Sequence, residues 1–441
     1  MHGSAAVEQG GGRGALAEWR AHGLVLMPCL AGVTLVAAHG HALGVMIRPL
    51  EEAFGWPRAQ ISAGFMFISI MGLLLGPAVG RAVDRFGPRR IGLVGVPIYC
   101  ATLAMLSLAG PSILSWWVLW FVLALGSMLI LPVVWIAILN PYFHKSRGLA
   151  MAVALSGTGV AAALFPMTVN ALVEAFGWRM AYVIFAGCLG LVTYPLVLFL
   201  FREAGPRGGR RAGTASPATQ AATQAEESRN RTAALAETRS AAKRQMASAR
   251  YIKLALASFI FAVASCVLTN NMVPVLLGEG LTPATAAATA GLLGIGSVAG
   301  RLLGGVLLDR YDANKVAAIS VIMPIAPTVI FLVTDQSQAW AAVACLIMGI
   351  SVGAELDTTA YLTARHFGAR TFGSLFGTIN GLLIFGAGLA PLAANAVFDA
   401  TKSYNIVLIA LIPLCVITAA LLLALGSYRH LDPETGAPMT G

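Results

Sequence analysis

The sequence predicts an all-α membrane protein whose twelve spans form two pseudo-symmetric six-helix bundles. Three observations predict it: apolar runs longer than a soluble core needs, a duplicated motif, and basic residues concentrated in one set of loops. Of the 441 residues 58% are hydrophobic and 11% charged, against about a quarter charged in an ordinary soluble domain. The apolar residues gather in runs of roughly 18 to 26, and a helix of about 20 residues at 1.5 Å rise crosses a hydrocarbon core of about 30 Å.

The first six runs are Leu24 to Ile47, Ala59 to Val79, Ile91 to Ala109, Ile113 to Leu139, Leu149 to Leu172 and Met180 to Phe201. The second six are Leu254 to Leu277, Ala284 to Leu308, Val316 to Val333, Ala339 to Leu362, Phe372 to Val397 and Ile406 to Leu425. They divide the chain into an N-terminal tail (1–23), a first bundle (24–201), a basic linker (202–253), a second bundle (254–426) and a C-terminal tail (427–441). The tail Met1 to Gly23 lacks the basic start, short apolar core and small-residue cleavage site of a secretory signal, so the first run is expected to remain as a span. An even number of spans puts both termini on one side.

Arg48, Arg58, Arg179 and Lys402 fall on the far side and Arg301 within a span, leaving 24 of the 29 Lys and Arg on the side of the termini. By the positive-inside rule that side is cytoplasmic. The formal charge of +10 therefore follows topology, and no soluble basic face with base-reading elements supports nucleic-acid binding. Arg outnumbers Lys 24 to 5, which points to a GC-rich bacterial genome and a cytoplasmic membrane. The linker Arg202 to Lys253 holds 11 basic and 4 acidic residues and reads as a disordered tether, with a lipid-binding surface helix over Ser228 to Arg250 as the alternative.

No Gly-Lys-Ser/Thr loop and no soluble catalytic constellation is present, so neither an enzyme nor nucleotide-driven transport is expected. The cysteines Cys29, Cys100, Cys188, Cys266, Cys345 and Cys415 all fall in spans. Their spacing fits neither a metal site nor a disulfide framework, and no cofactor is expected.

The halves repeat at an offset of 225: Gly80-Arg-Ala-Val-Asp84-Arg85-Phe aligns with Gly305-Val-Leu-Leu-Asp309-Arg310-Tyr, each closing the second helix of its half. Two such repeats place a solute site between them near the midplane. The full stretch Gly80-Arg-Ala-Val-Asp84-Arg85-Phe-Gly87-Pro-Arg89-Arg90 resembles the motif between spans two and three of the major facilitator superfamily. The resemblance implies a conformational latch rather than a substrate contact. Asp84 meets neighbouring helix ends, and the arginines meet helix C-termini and headgroups.

Three further features resemble the monocarboxylate-transporter and oxalate-formate-antiporter branch. They are the loop Gly44 to Ser62, the segment Tyr142 to Gly157 leading into span five, and Arg301, eight residues before Asp309, where that branch carries a substrate-linked arginine. That branch pairs the arginine with an aspartate four residues earlier or with a span-eleven lysine; here position 297 is Ser297, and Phe372 to Val397 contains no lysine.

Arg301 lies about 12 Å from the cytoplasmic end of its helix, from eight residues at 1.5 Å, and a bare cation at such depth is costly. It either binds an anionic substrate bidentately or is held in a fixed salt bridge to Glu355 or Asp357. One buried cation without a partner lysine favours a monoanion. Glu355 and Asp357, two residues apart on a helix, point about 200° apart and cannot both face one cavity. Asp357, Tyr361 and Arg365 share a stripe that suits a gate network with Arg310 or Arg301; direct proton carriage is the alternative. His39 and His41 likewise face opposite ways, each a proton carrier or a packing residue. Asn270, Asn271, Asn380, Ser156, Thr158, Trp120 and Trp135 line a cavity or glue helices together. The ladders Gly72/Gly76/Gly80 and Gly296/Gly300/Gly304 are expected as packing surfaces.

The expected function is secondary active transport of a small organic anion, a monocarboxylate foremost, by alternating access with proton symport or anion exchange. The expected working unit is a monomer. A carrier exporting amphipathic drugs or metabolites, and a non-transporting membrane sensor signalling through the linker, are the alternatives.

Overall fold

Glycine and proline set where the helices turn back. The computed structural model describes residues 18–139, 142–143, 147–201, 237, 240–334 and 337–426. Among them eleven helices are long and apolar enough to cross a membrane. One of these, Gly148–Leu200, spans 53 residues, about 80 Å at 1.5 Å rise, far longer than one crossing needs. It reverses at Gly177, whose φ of 76° and ψ of 163° leave the helix. Beyond that turn Trp178 meets Phe54 at one end of the bundle, while Leu198 accepts a hydrogen bond from Arg89 at the other. Twelve crossings result, as the apolar runs predict.

We number them α1 (Glu18–Phe54), α2 (Arg58–Phe86), α3 (Pro88–Leu108), α4 (Ile113–Ala137), α5 (148–176), α6 (178–200), α7 (Ala249–Gly278), α8 (Pro283–Arg310), α9 (Ala313–Val333), α10 (Gln338–Phe367), α11 (Ala369–Thr401) and α12 (Asn405–Leu423). Between α2 and α3, Gly87 adopts φ 83° and Pro88 opens the next helix. The duplicated turn after α8 uses different chemistry for the same reversal: Asp312 accepts from the N–H groups of Asn314 and Lys315, a side-chain N-cap. Short non-helical breaks interrupt α1 at Ala37, α4 between Leu129 and Leu131, and α9 at Met323–Pro324. The outer surface is apolar, with Leu191 78% and Val333 74% exposed, which in water would be an aggregation liability and in lipid is solvation.

Among the described residues, the main contacts between the halves come from three helix pairs. Gly159 and Ala163 of α5 lie against Gly294, Val298 and Gly291 of α8, Ser69 of α2 against Gly388 of α11, and Gly44 of α1 against the Asn270 carbonyl of α7. The contact of α2 with α11 fades at Gly72 and Gly381, which approach Ile384 and Leu73. Farther along, Gly76, Gly80, Gly373 and Gly377 face open space. The halves are thus parted at the end carrying the basic loops and closed at the other. This corrects the expectation for the first glycine ladder: Gly76 and Gly80 pack against nothing here, because α2 and α11 have diverged by that level. The second ladder packs throughout, with Gly296, Gly300 and Gly304 seated on α10.

The tails 1–17 and 427–441, the linker segment 202–236, the residues His144, Lys145 and Ser146, and the side chains of Asp309 and Arg370 lie outside the described part.

Candidate functional site: a buried arginine between the halves

Small residues bring α8 and α10 into backbone contact. Gly300 rests on Ile350, and Gly353 on the Ser297 backbone, so tightly that a methyl at either glycine would overlap main chain. That seam positions Arg301, one residue beyond Gly300 and only 8% exposed. Its Nε lies 3.3 Å from Asp357 Oδ2 of α10. The carboxylate absent at position 297 is therefore supplied from the neighbouring helix, four residues past Gly353. The pairing is incomplete: Arg301 Nε and Nη1 are buried without a hydrogen-bond partner among the described residues. A guanidinium carries five donors, and one off-geometry contact leaves most of them for a second anion.

Eight and eleven residues farther along α8, about 12 and 16 Å at 1.5 Å rise, Leu293 and Ala290 line a small cleft with His41, Gly44, Thr269 and Asn270. This cleft lies between α1, α5, α7 and α8. The two histidines part company as their spacing predicts. His41 borders the cleft, whereas His39 is buried in the first bundle, its Nδ1 3.0 Å from the Tyr99 hydroxyl and its ring against Phe65 and Trp120. Trp120 is fully buried, its Nε1 without a partner among the described residues. Trp135 is structural, donating to the Ile130 carbonyl, and Ser156 and Thr158 bond back to their own helix. Asn380 is half-buried.

Asn271, expected among cavity residues, lies instead in a polar seal at the closed end. It is fully buried and accepts from Asn395, which also donates to Ser62 and accepts from the Tyr404 hydroxyl. The adjacent Asp399 carboxylate accepts from the backbone N–H groups of Arg58 and Ala59, at 3.0 and 2.8 Å. Arg58 in turn bonds Glu51 and stacks over Phe398 at 3.9 Å. Burial pushes the Tyr404 phenol up to about 12, so it acts as a neutral donor. Hydropathy gives no sign of this seal, because Asn395 and Asp399 look like the polar end of a span until their partners in the other half, Ser62, Arg58 and Ala59, more than 300 residues away, are known.

The stripe on α10 divides. Asp357 turns to Arg301, while Arg365 donates to the Tyr361 hydroxyl at 3.1 and 2.8 Å and lies over its ring. Glu355 points away from Arg301 into the second bundle, as two residues on a helix require. In the duplicated motif Asp84, Arg85, Arg90 and Arg310 are exposed, and Arg89 reaches the last turn of α6. Asp84, expected to meet neighbouring helix ends, has no ion-pair partner among the described residues.

Comparison with known proteins matches this arrangement to one superfamily. The Major Facilitator Superfamily profile covers residues 29–391. Mouse Monocarboxylate transporter 12 is 24% identical over 284 residues, 61% of this chain and 58% of that one. The agnestins efflux protein AgnL12 of Paecilomyces divaricatus is 33% identical over 117 residues, 25% of this chain and 27% of that one. In both, the chain spans less than two thirds of the relative's length. Among solved structures, a bacterial homolog of the human lysosomal transporter Spinster, inward-facing and unoccupied, shares the fold with a TM-score of 0.63 and 19% identity, over 92% of this chain and 93% of that one.

Proposed function

Because this chain belongs to the Major Facilitator Superfamily, we propose that it is a secondary active carrier of a small monocarboxylate, working as a monomer with both termini in the cytoplasm. The observation that carries this reading is Arg301, buried three residues beyond Val298, where α8 meets α5 of the other half, with Asp357 as a partial counter-ion and donors to spare. A substrate carboxylate would take the free edge of the guanidinium, where two parallel hydrogen bonds are geometrically matched. Asp357 then accepts a proton or is displaced, which is how binding of the anion and of a proton become linked at one place; anion exchange needs only the displacement. The cleft of His41, Thr269 and Asn270, about 12 Å farther along α8, is beyond the reach of a small acid held at Arg301 and would take the substrate at another step of the cycle. The halves part on the cytoplasmic side in this state, and alternating access breaks the Asp399 and Asn395 seal while α2 and α11 close at Gly76 and Gly80.

Export of an amphipathic metabolite is the second reading, favoured by the Asp357 contact itself, since a carrier of that kind needs Arg301 neutralised. Uptake into proteoliposomes separates them. A panel of radiolabelled monocarboxylates is offered with and without an inward proton gradient, or with anion preloaded, to wild type and Arg301→Ala. Saturable uptake lost in the variant supports the carboxylate reading. Uptake equal in both makes Arg301 structural, and no uptake under any condition removes the monocarboxylate assignment.

A further inference from the structure

Glu355 lies on the face of α10 opposite Asp357 and is not used by the site above. It opens into a separate cavity of about 20 Å³ between α7, α9, α10 and α12, enough for one water-sized occupant. The polar lining consists of Ser258, Ser320, Glu355, Thr358, Thr359 and Thr418, with no Lys, Arg or His.

The hydrogen bonding of these groups says what the cavity is suited to hold. Ser320 donates to the Val316 carbonyl, Thr358 to Ala354 and Thr418 to Leu414. Each hydroxyl has thus spent its single proton on its own helix and turns lone pairs to the cavity. Glu355 Oε1 and Ser258 Oγ are buried without a hydrogen-bond partner among the described residues. Among the described residues, acceptors therefore outnumber donors around a chamber whose lining holds no cation, the hydroxyls of Ser258 and Thr359 alone keeping a proton free. An unpaired carboxylate in such a place costs several kcal/mol. A small hard cation meets the whole set, since such ions take oxygen ligands from carboxylates and neutral oxygens together.

We propose that this cavity is a sodium site, with the Glu355 carboxylate supplying the charge and the hydroxyls of Ser258, Ser320, Thr358 and Thr418 completing an oxygen shell. It ties together four helices of one bundle. Because Glu355 and Asp357 share one turn of α10, an ion there fixes the helix that carries the counter-ion of Arg301. As a coupling ion it rests on the carrier reading; as a binding site it stands apart from it.

The test is equilibrium binding of radiolabelled Na⁺ to the full-length protein in nanodiscs at pH 8, with potassium as the balancing salt. Saturable binding of one ion per chain is expected, weakened about 10-fold or more by Glu355→Gln and by Thr418→Val. Absence of saturable binding in the wild type overturns the proposal, as does wild-type affinity in Glu355→Gln. Should Glu355→Gln not fold, Thr418→Val and Ser258→Ala decide, and unchanged affinity in both overturns it. Sodium binding without carboxylate transport would leave this site standing and remove the monocarboxylate reading alone.

Discussion

The Asp399 carboxylate of α11 caps the first turn of α2, accepting from the N–H groups of Arg58 and Ala59 across the boundary between the halves. A side-chain cap contributes about 1 kcal/mol, and this one exists only while that end is shut. Asp399→Ala is expected to shift the population toward opening there by about 5-fold, whereas Asp399→Asn, an equally good cap, shifts it less. Labelling of Ser62→Cys, buried in the seal, by an impermeant maleimide in a background without the native cysteines reads the shift. Equal labelling with and without Asp399→Ala would show that the cap does not hold the end closed.

Asp357→Asn leaves the Arg301 guanidinium without an anion. Loss of one partner from a buried pair costs about 3–5 kcal/mol, and the partial exposure of Asp357 (32%) places the expected loss below that range. The melting temperature should fall, and a bound monocarboxylate should restore more of it than it adds to the wild type. A variant that melts like wild type would mean that the pair is not held in the membrane.

His39 and His41 should separate cleanly. His39→Ala removes the partner of a buried Tyr99 hydroxyl and is expected to cost about 1–3 kcal/mol, visible in thermal melts. His41→Ala should melt normally and raise KM for uptake. The reverse pattern would exchange their roles.

Gly353→Ala drives a methyl into the Ser297 backbone and is expected to cost about 1–3 kcal/mol. Gly76→Leu enters open space, so the purified protein should melt unchanged, yet uptake should fall because closure of the parted end brings α2 and α11 together at that level. Normal uptake by Gly76→Leu would mean that the halves never meet there.

The twelve spans were legible in the sequence because lipid demands long apolar runs, and helical periodicity alone told that Glu355 and Asp357, or His39 and His41, look opposite ways. Which member of each pair faces the cleft was not legible, since that depends on the rotation of each helix in its bundle. The same holds for the Arg301 counter-ion. Its expected place on α8 is Ser297, and only the glycine seam shows that α10 lies near enough to supply it. The breaks at Ala37 and Leu129–Leu131 escaped for another reason: apolar loops inside a span leave hydropathy unchanged.

The seam between α8 and α10 has an electrical consequence. Helices joined at backbone distance through Gly296, Gly300 and Gly353 reorient together, so Arg301 and Asp357 travel as one pair of zero net charge. Whatever current accompanies turnover is then carried by cargo and coupling ions, with nothing added or cancelled by that pair, and its sign and size under an imposed voltage count the charges moved per cycle directly.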